Sequence, residues 1–146
     1  MKICIYGAGA IGGLLGTQLA RAGEDVTLIA RGAHLAAMRE KGLTLRIDGQ
    51  EHNVRVAATD NPAEAGPQDF VIVTVKAHGV ADVAEAMQPL LGPDTAVVTA
   101  MNGIPWWYFQ KLPGPYEGRR IHCLDPDGRL ERLIPADRVI GCVVYP

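Results

Sequence analysis

Hydrophobic positions change period several times along this chain. Lys2–Tyr6 (KICIY) is apolar on both faces, as a strand covered from both sides of a parallel sheet must be. From Ile11 the pattern turns helical: Ile11, Leu14, Leu15 and Leu19 share one face, and Gly23 marks a stop after Ala22. Asp25–Ala30 (DVTLIA) reads as a second strand. Strand, glycine turn, helix and strand within about 30 residues make one βαβ unit.

Further on, Ala33–Lys41 reads as a short helix ending at Gly42. Leu43, Leu45 and Ile47 alternate with Thr44 and Arg46, which predicts that Leu43–Asp48 pairs with Val54–Ala58 as a hairpin around Gly49-Gln50. Phe70–Val75 is a buried parallel strand by composition, and Val80–Leu91 is its following helix, with Pro89 bending or ending the last turn. Thr95–Met101 is the next strand and Val139–Tyr145 the last. Between them, Pro105, Pro113, Gly114 and Pro115 interrupt an aromatic run at Trp106–Phe109. Asp125-Pro126-Asp127-Gly128 signals a turn between Ile121–Leu124 and Arg129–Ile134. The expected fold is α/β: a Rossmann-type, doubly wound, mostly parallel sheet with a small antiparallel hairpin.

Composition changes this picture little. With 146 residues, 48% of them hydrophobic, the chain is most simply one domain with a real core. A net charge of −2 gives no basic excess with which to neutralise phosphates, so nucleic acid is not an expected partner. No apolar run approaches a membrane span, and Met1-Lys2 leads straight into a strand without a signal peptide, so the expected location is cytoplasmic. The three cysteines, Cys4, Cys123 and Cys142, fit neither a disulfide framework nor a metal site. Cys4 and Cys142 lie in apolar runs and read as buried thiols.

The chemistry is concentrated in Gly7-Ala8-Gly9-Ala10-Ile11-Gly12, a G-x-G-x-x-G that follows a strand and opens a helix. Gly7 permits the tight turn, Gly9 lets the backbone approach a pyrophosphate, and Gly12 lets helix and strand pack closely. The helix start offers unpaired N–H groups and a positive dipole end to phosphate. Where an NAD site commonly carries an acid, at the end of the second strand, this sequence has Arg31. A guanidinium there suits the 2′-phosphate of NADP; the alternative is a solvated charge at a strand end.

Val75-Lys76-Ala77-His78 and Met101-Asn102-Gly103 lie at the carboxyl ends of later strands, where a Rossmann crevice opens. Taken in order, GAGAIGG, ARG, VKA and NG resemble the amino-terminal domain of the ketopantoate reductase family, over nearly the whole chain and more weakly after about Trp107. The resemblance implies NADPH-dependent reduction of 2-dehydropantoate to pantoate, with Lys76 and Asn102 lining the cofactor near its nicotinamide. Physically, Lys76 offers an ammonium donor, and Asn102 offers either end of its amide to a ribose hydroxyl or substrate oxygen. The alternatives are a surface lysine and a simple Asn-Gly turn. His78 reads as a loop histidine.

The resemblance also implies a second, helical domain that carries substrate-binding groups and the lysine that protonates the alkoxide. The expectation is that this sequence stops before that domain, so its catalytic residues are unknown beyond Lys76 and Asn102 as contributors. Without a positioned acid, catalysis falls on the order of 10²–10⁴-fold. Apolar surface left uncovered at Pro105–Phe109 and Val139–Pro146 predicts self-association or a homo-oligomer, although Trp106 and Trp107 fit a core position equally well. Two other readings stay open: a free-standing NADP-binding sensor, and a related hydroxyacid dehydrogenase.

Overall fold

Lys2–Tyr6 forms β1, an interior strand of a six-stranded sheet, in a computed structural model that describes residues 1–145. Its alternate side chains divide the core in two. Ile3 and Ile5 pack on one face with Val26, Leu28, Leu35 and Met38. Cys4 and Tyr6 pack on the other with Val71, Val73, Met87, Val97 and Trp106. Two buried faces explain the unbroken apolar run.

The chain continues through α1 (Ala10–Arg21), β2 (Asp25–Ile29) and α2 (Gly32–Lys41). An antiparallel hairpin follows, β3 (Leu43–Ile47) with β4 (Gln50–Val54), and then β5 (Ala57–Thr59) and α3 (Pro62–Ala65). The second half holds β6 (Gln68–Val73), α4 (Val80–Val83), β7 (Leu91–Ala100), α5 (Arg129–Leu133) and β8 (Val139–Cys142). Sheet order is β5-β2-β1-β6-β7-β8, and every pairing in it is parallel. The chain therefore winds outward from β1 in one direction and from β6 in the other. The gap between these two strands is the topological switch point, where open α/β sheets hold ligands. This is the expected doubly wound fold.

Three local expectations are corrected. The hairpin partner of β3 is Gln50–Val54, with Leu43 opposite Val54, not Val54–Ala58. Asp48 and Gly49 both take positive φ (50° and 72°), which builds a two-residue turn whose twist matches the strands and fixes that register. Ala57–Thr59 is thereby freed to extend the main sheet beside β2. The helix expected over Val80–Leu91 is α-helical only to Val83. Turns and a 3₁₀ segment at Gln88–Leu90 replace the remainder, because Pro89 has no N–H to donate and its ring crowds the preceding turn. Leu91 already belongs to β7.

Of the aromatic run, the two tryptophans settle on the core side while Tyr108 stays exposed. Trp106 is buried at 4% exposure, and the partly buried Trp107 packs against Gly141 so closely that a Cβ there would lie 2.8 Å from its indole ring. Cys142 is only partly buried and Cys123 is exposed, so of the three thiols only Cys4 is fully buried. The Asp125–Gly128 turn caps α5: the buried Asp125 carboxylate accepts from Leu130 N (2.9 Å) and Glu131 N (3.1 Å). No helix among the described residues is long and apolar enough to cross a membrane.

Candidate functional site

The turn between β1 and α1 is assembled at the switch point. Gly7 takes φ +111°, and a Cβ there would lie 3.0 Å from Val75 Cγ1 and 3.1 Å from Thr74 Oγ1. A Cβ on Gly12 would run into the Gly7 carbonyl oxygen. Gly9 differs: no heavy atom lies within 4 Å of its Cβ position. Fold packing therefore requires Gly7 and Gly12 to be small, whereas nothing in the fold packs against the Cβ position of Gly9. Gly16 continues the close approach of α1 to the sheet that Gly12 begins against Thr74: its Cβ position lies 3.4 Å from Ile5 and Leu28 side-chain carbons.

Helix α1 starts at Ala10 with Gly9 as its N-cap and no side chain capping it; the first internal bond runs from Gly13 N to Gly9 O at 2.7 Å. The N–H groups of Ala10, Ile11 and Gly12 thus have no partner within the helix. This cradle suits a diphosphate.

Two side chains that sequence patterning did not single out hold the turn from opposite sides. From the end of β6, Thr74 donates its hydroxyl to Gly7 O at 2.5 Å, and its N–H donates to Tyr6 O at 3.0 Å. From α2, His34 Nε2 lies 2.8 Å from Ala8 O. A signal existed for each: Thr74 is the polar residue closing an apolar strand, and His34 stands one helical turn after Arg31.

Two clefts flank the cradle along the carboxyl ends of the strands. One, of about 490 Å³, is lined by Ala8, Gly9, Ala30, Arg31 and His34. Arg31 is exposed there at the N-cap of α2, and it forms no ion pair among the described residues. The other, of about 440 Å³, brings Ile11 and Lys76 together with His78 and Asn102. A larger concavity of about 750 Å³ lies at the amino ends of the strands, around Met1, Lys2 and Asp69, away from the turn.

Every residue singled out from sequence thus lines or builds one continuous end of the sheet, and His78 joins Lys76 there. Asn102 departs from expectation in one respect. Both ends of its amide are engaged by the backbone of a single residue: Nδ2 donates to Val144 O and Oδ1 accepts from Val144 N, each at 2.9 Å. One amide hydrogen and further lone pairs of Asn102 are left over from this clasp. Beneath the site, burial pushes the Tyr6 hydroxyl above its ordinary range, with Cys4 adding to the effect and the Arg31 guanidinium opposing it.

The sequence profile of the family described as ketopantoate reductase PanE/ApbA matches residues 3–106. A 2-dehydropantoate 2-reductase of Mesorhizobium japonicum is 49% identical over all of this chain, which spans 45% of that relative's length. A solved structure from Ralstonia solanacearum MolK2, assigned as a candidate ketopantoate reductase, is 51% identical with a TM-score of 0.93, covering 99% of this chain and 44% of its own. D-mandelate dehydrogenase, solved with NADH and anilino(oxo)acetate, is 26% identical with a TM-score of 0.74, covering 97% of this chain and 40% of its own. The chain therefore spans less than half the length of these relatives. The segment after Trp106, which lies outside the family profile, is shared with the first two.

Proposed function

The chain belongs to the ketopantoate reductase family, and from that premise we propose that residues 1–146 form the NADP-binding domain of an NADPH-dependent reductase of a 2-ketoacid such as 2-dehydropantoate. The observation that carries this reading is the cleft beside Gly9. It holds an unpaired guanidinium and no carboxylate, so it favours an additional phosphate over a bare ribose diol. When bound, the reduced nicotinamide supplies the hydride. Gly9, Ala10, Ile11 and Gly12 hold the diphosphate on their backbone, and Arg31 holds the 2′-phosphate.

At the other cleft, exposed Lys76 supplies a cation for an anionic group of coenzyme or ketoacid, while Asn102 orients its remaining hydrogen-bonding capacity from the Val144 clasp. A proton donor positioned on the carbonyl oxygen is worth on the order of 10²–10⁴-fold. We assign that role to groups outside these residues, so the chain by itself binds coenzyme with little turnover.

Isothermal titration of the protein with NADPH and NADH, before and after Arg31→Ala, tests the assignment. Loss of NADPH affinity by roughly 10- to 100-fold with NADH unchanged supports it, since a charge-assisted pair is lost. Equal weakening of both coenzymes removes it.

A second reading concerns the ketoacid. Ile104, Pro105 and Trp106 form an apolar wall directly beside the Asn102 cleft. An aromatic ketoacid is the other candidate, because D-mandelate dehydrogenase is solved with the aryl-bearing oxoacid anilino(oxo)acetate. Competition between ketopantoate and phenylglyoxylate for the NADPH-loaded protein separates the two substrates.

A further inference from the structure

His34 sits on the first turn of α2, yet its imidazole reaches back to the glycine turn 26 residues earlier, with Nε2 2.8 Å from Ala8 O. A carbonyl oxygen only accepts, so Nε2 must carry the proton. The described chain contains no cis peptide, and a trans peptide points its C=O and the following N–H in opposite directions. Gripping Ala8 O therefore fixes the plane of the Ala8–Gly9 peptide and the direction of the Gly9 N–H, at the one of the three motif glycines whose Cβ position is open.

Thr74 cannot do this, because its hydroxyl holds the preceding carbonyl, Gly7 O, from the far side. Nor does the imidazole simply fill a core. It lies in the cleft with Arg31 and Gly9, while its helix neighbours Leu35 and Met38 supply the buried contacts of α2.

We propose that His34 is a positioning residue for dinucleotide binding: it sets the Ala8–Gly9 peptide for the diphosphate and keeps the cradle in register with the Arg31 cleft. The proposal rests on the dinucleotide reading above, but its signature differs from that of Arg31. The diphosphate is common to both coenzymes, so His34 acts on NADPH, NADH and ADP alike, whereas Arg31 acts only where a 2′-phosphate is present.

The test titrates wild type, His34→Ala, His34→Gln and Arg31→Ala with NADPH, NADH, ADP and adenosine 2′,5′-bisphosphate, with thermal melts of each variant. Expected for His34→Ala is a roughly 3- to 10-fold loss of affinity for all three diphosphate-bearing ligands, with an unshifted melt. His34→Gln, whose amide N–H reaches about as far as Nε2, restores binding to within about twofold. Wild-type affinities in His34→Ala overturn the proposal while leaving the Arg31 assignment intact. A loss in His34→Gln as deep as in His34→Ala also overturns it. Failure of the wild type to bind any of the four ligands overturns both readings together.

Discussion

Thr74 and Gly7 are joined across the switch point: the threonine hydroxyl at the end of β6 donates to the glycine carbonyl that follows β1, at 2.5 Å. The bond ties the two halves of the doubly wound sheet at the place where the cradle begins. Thr74→Val keeps the shape and removes the donor. The expected cost is about 1–3 kcal/mol in urea unfolding, since a half-buried carbonyl loses its partner. Thr74→Ser should recover most of it, and a valine variant as stable as wild type would show the bond to be idle.

Two of the motif glycines, Gly9 and Gly12, should separate cleanly. Gly9→Ala meets nothing within 4 Å and has an ordinary φ of −72°, so stability should stay within about 0.5 kcal/mol while coenzyme affinity drops. Gly12→Ala places a methyl on backbone and should destabilise by about 3 kcal/mol or more. Parallel denaturation and titration curves check both.

Much of this was legible in the sequence, and the failures have physical causes. β1 was readable because a strand buried on both faces has no polar positions to confuse it. The glycine turn was readable because three glycines at fixed spacing have few other uses. QEHNV carries no apolar strand signal as β4 because a strand of a two-stranded ribbon needs no apolar face of its own; the Asp48-Gly49 turn is the better guide to register. The Val80–Leu91 stretch carries helical periodicity, but periodicity says nothing about a missing N–H at Pro89. Thr74, His34 and Val144 act through hydrogen bonds across 67, 26 and 42 positions, which leave no periodic trace at all.

Asp125 is the strongest candidate for a structural carboxylate. Asp125→Ala strips two backbone N–H groups at the start of α5 of their acceptor, and a loss of about 1–3 kcal/mol is expected. Hydrogen exchange should accelerate at Leu130 and Glu131 ahead of the sheet. Unchanged protection there would mean that α5 is held by its packing alone.

Burial pushes the Cys4 thiol from 9.0 up to about 12. Between those values the unfolded chain has lost the proton and the folded chain has kept it. Stability contributed by the neutral thiol is therefore complete below about pH 9 and is lost as pH rises toward 12, at up to about 1.4 kcal/mol per pH unit. The measurement is the difference between wild type and Cys4→Val, which isolates the thiol and whose stability should fall less steeply. At pH 8, iodoacetamide should label exposed Cys123 and spare Cys4.

Trp106 and Trp107 are the only two tryptophans in the chain; Trp106 lies in the wall beside the Asn102 cleft, and Trp107 packs on the same core cluster. Their ultraviolet emission overlaps the absorption band of a reduced nicotinamide. The protein thus carries its own optical gauge: arrival of the coenzyme should dim indole light and brighten the blue emission of the dihydropyridine ring, with no dye attached.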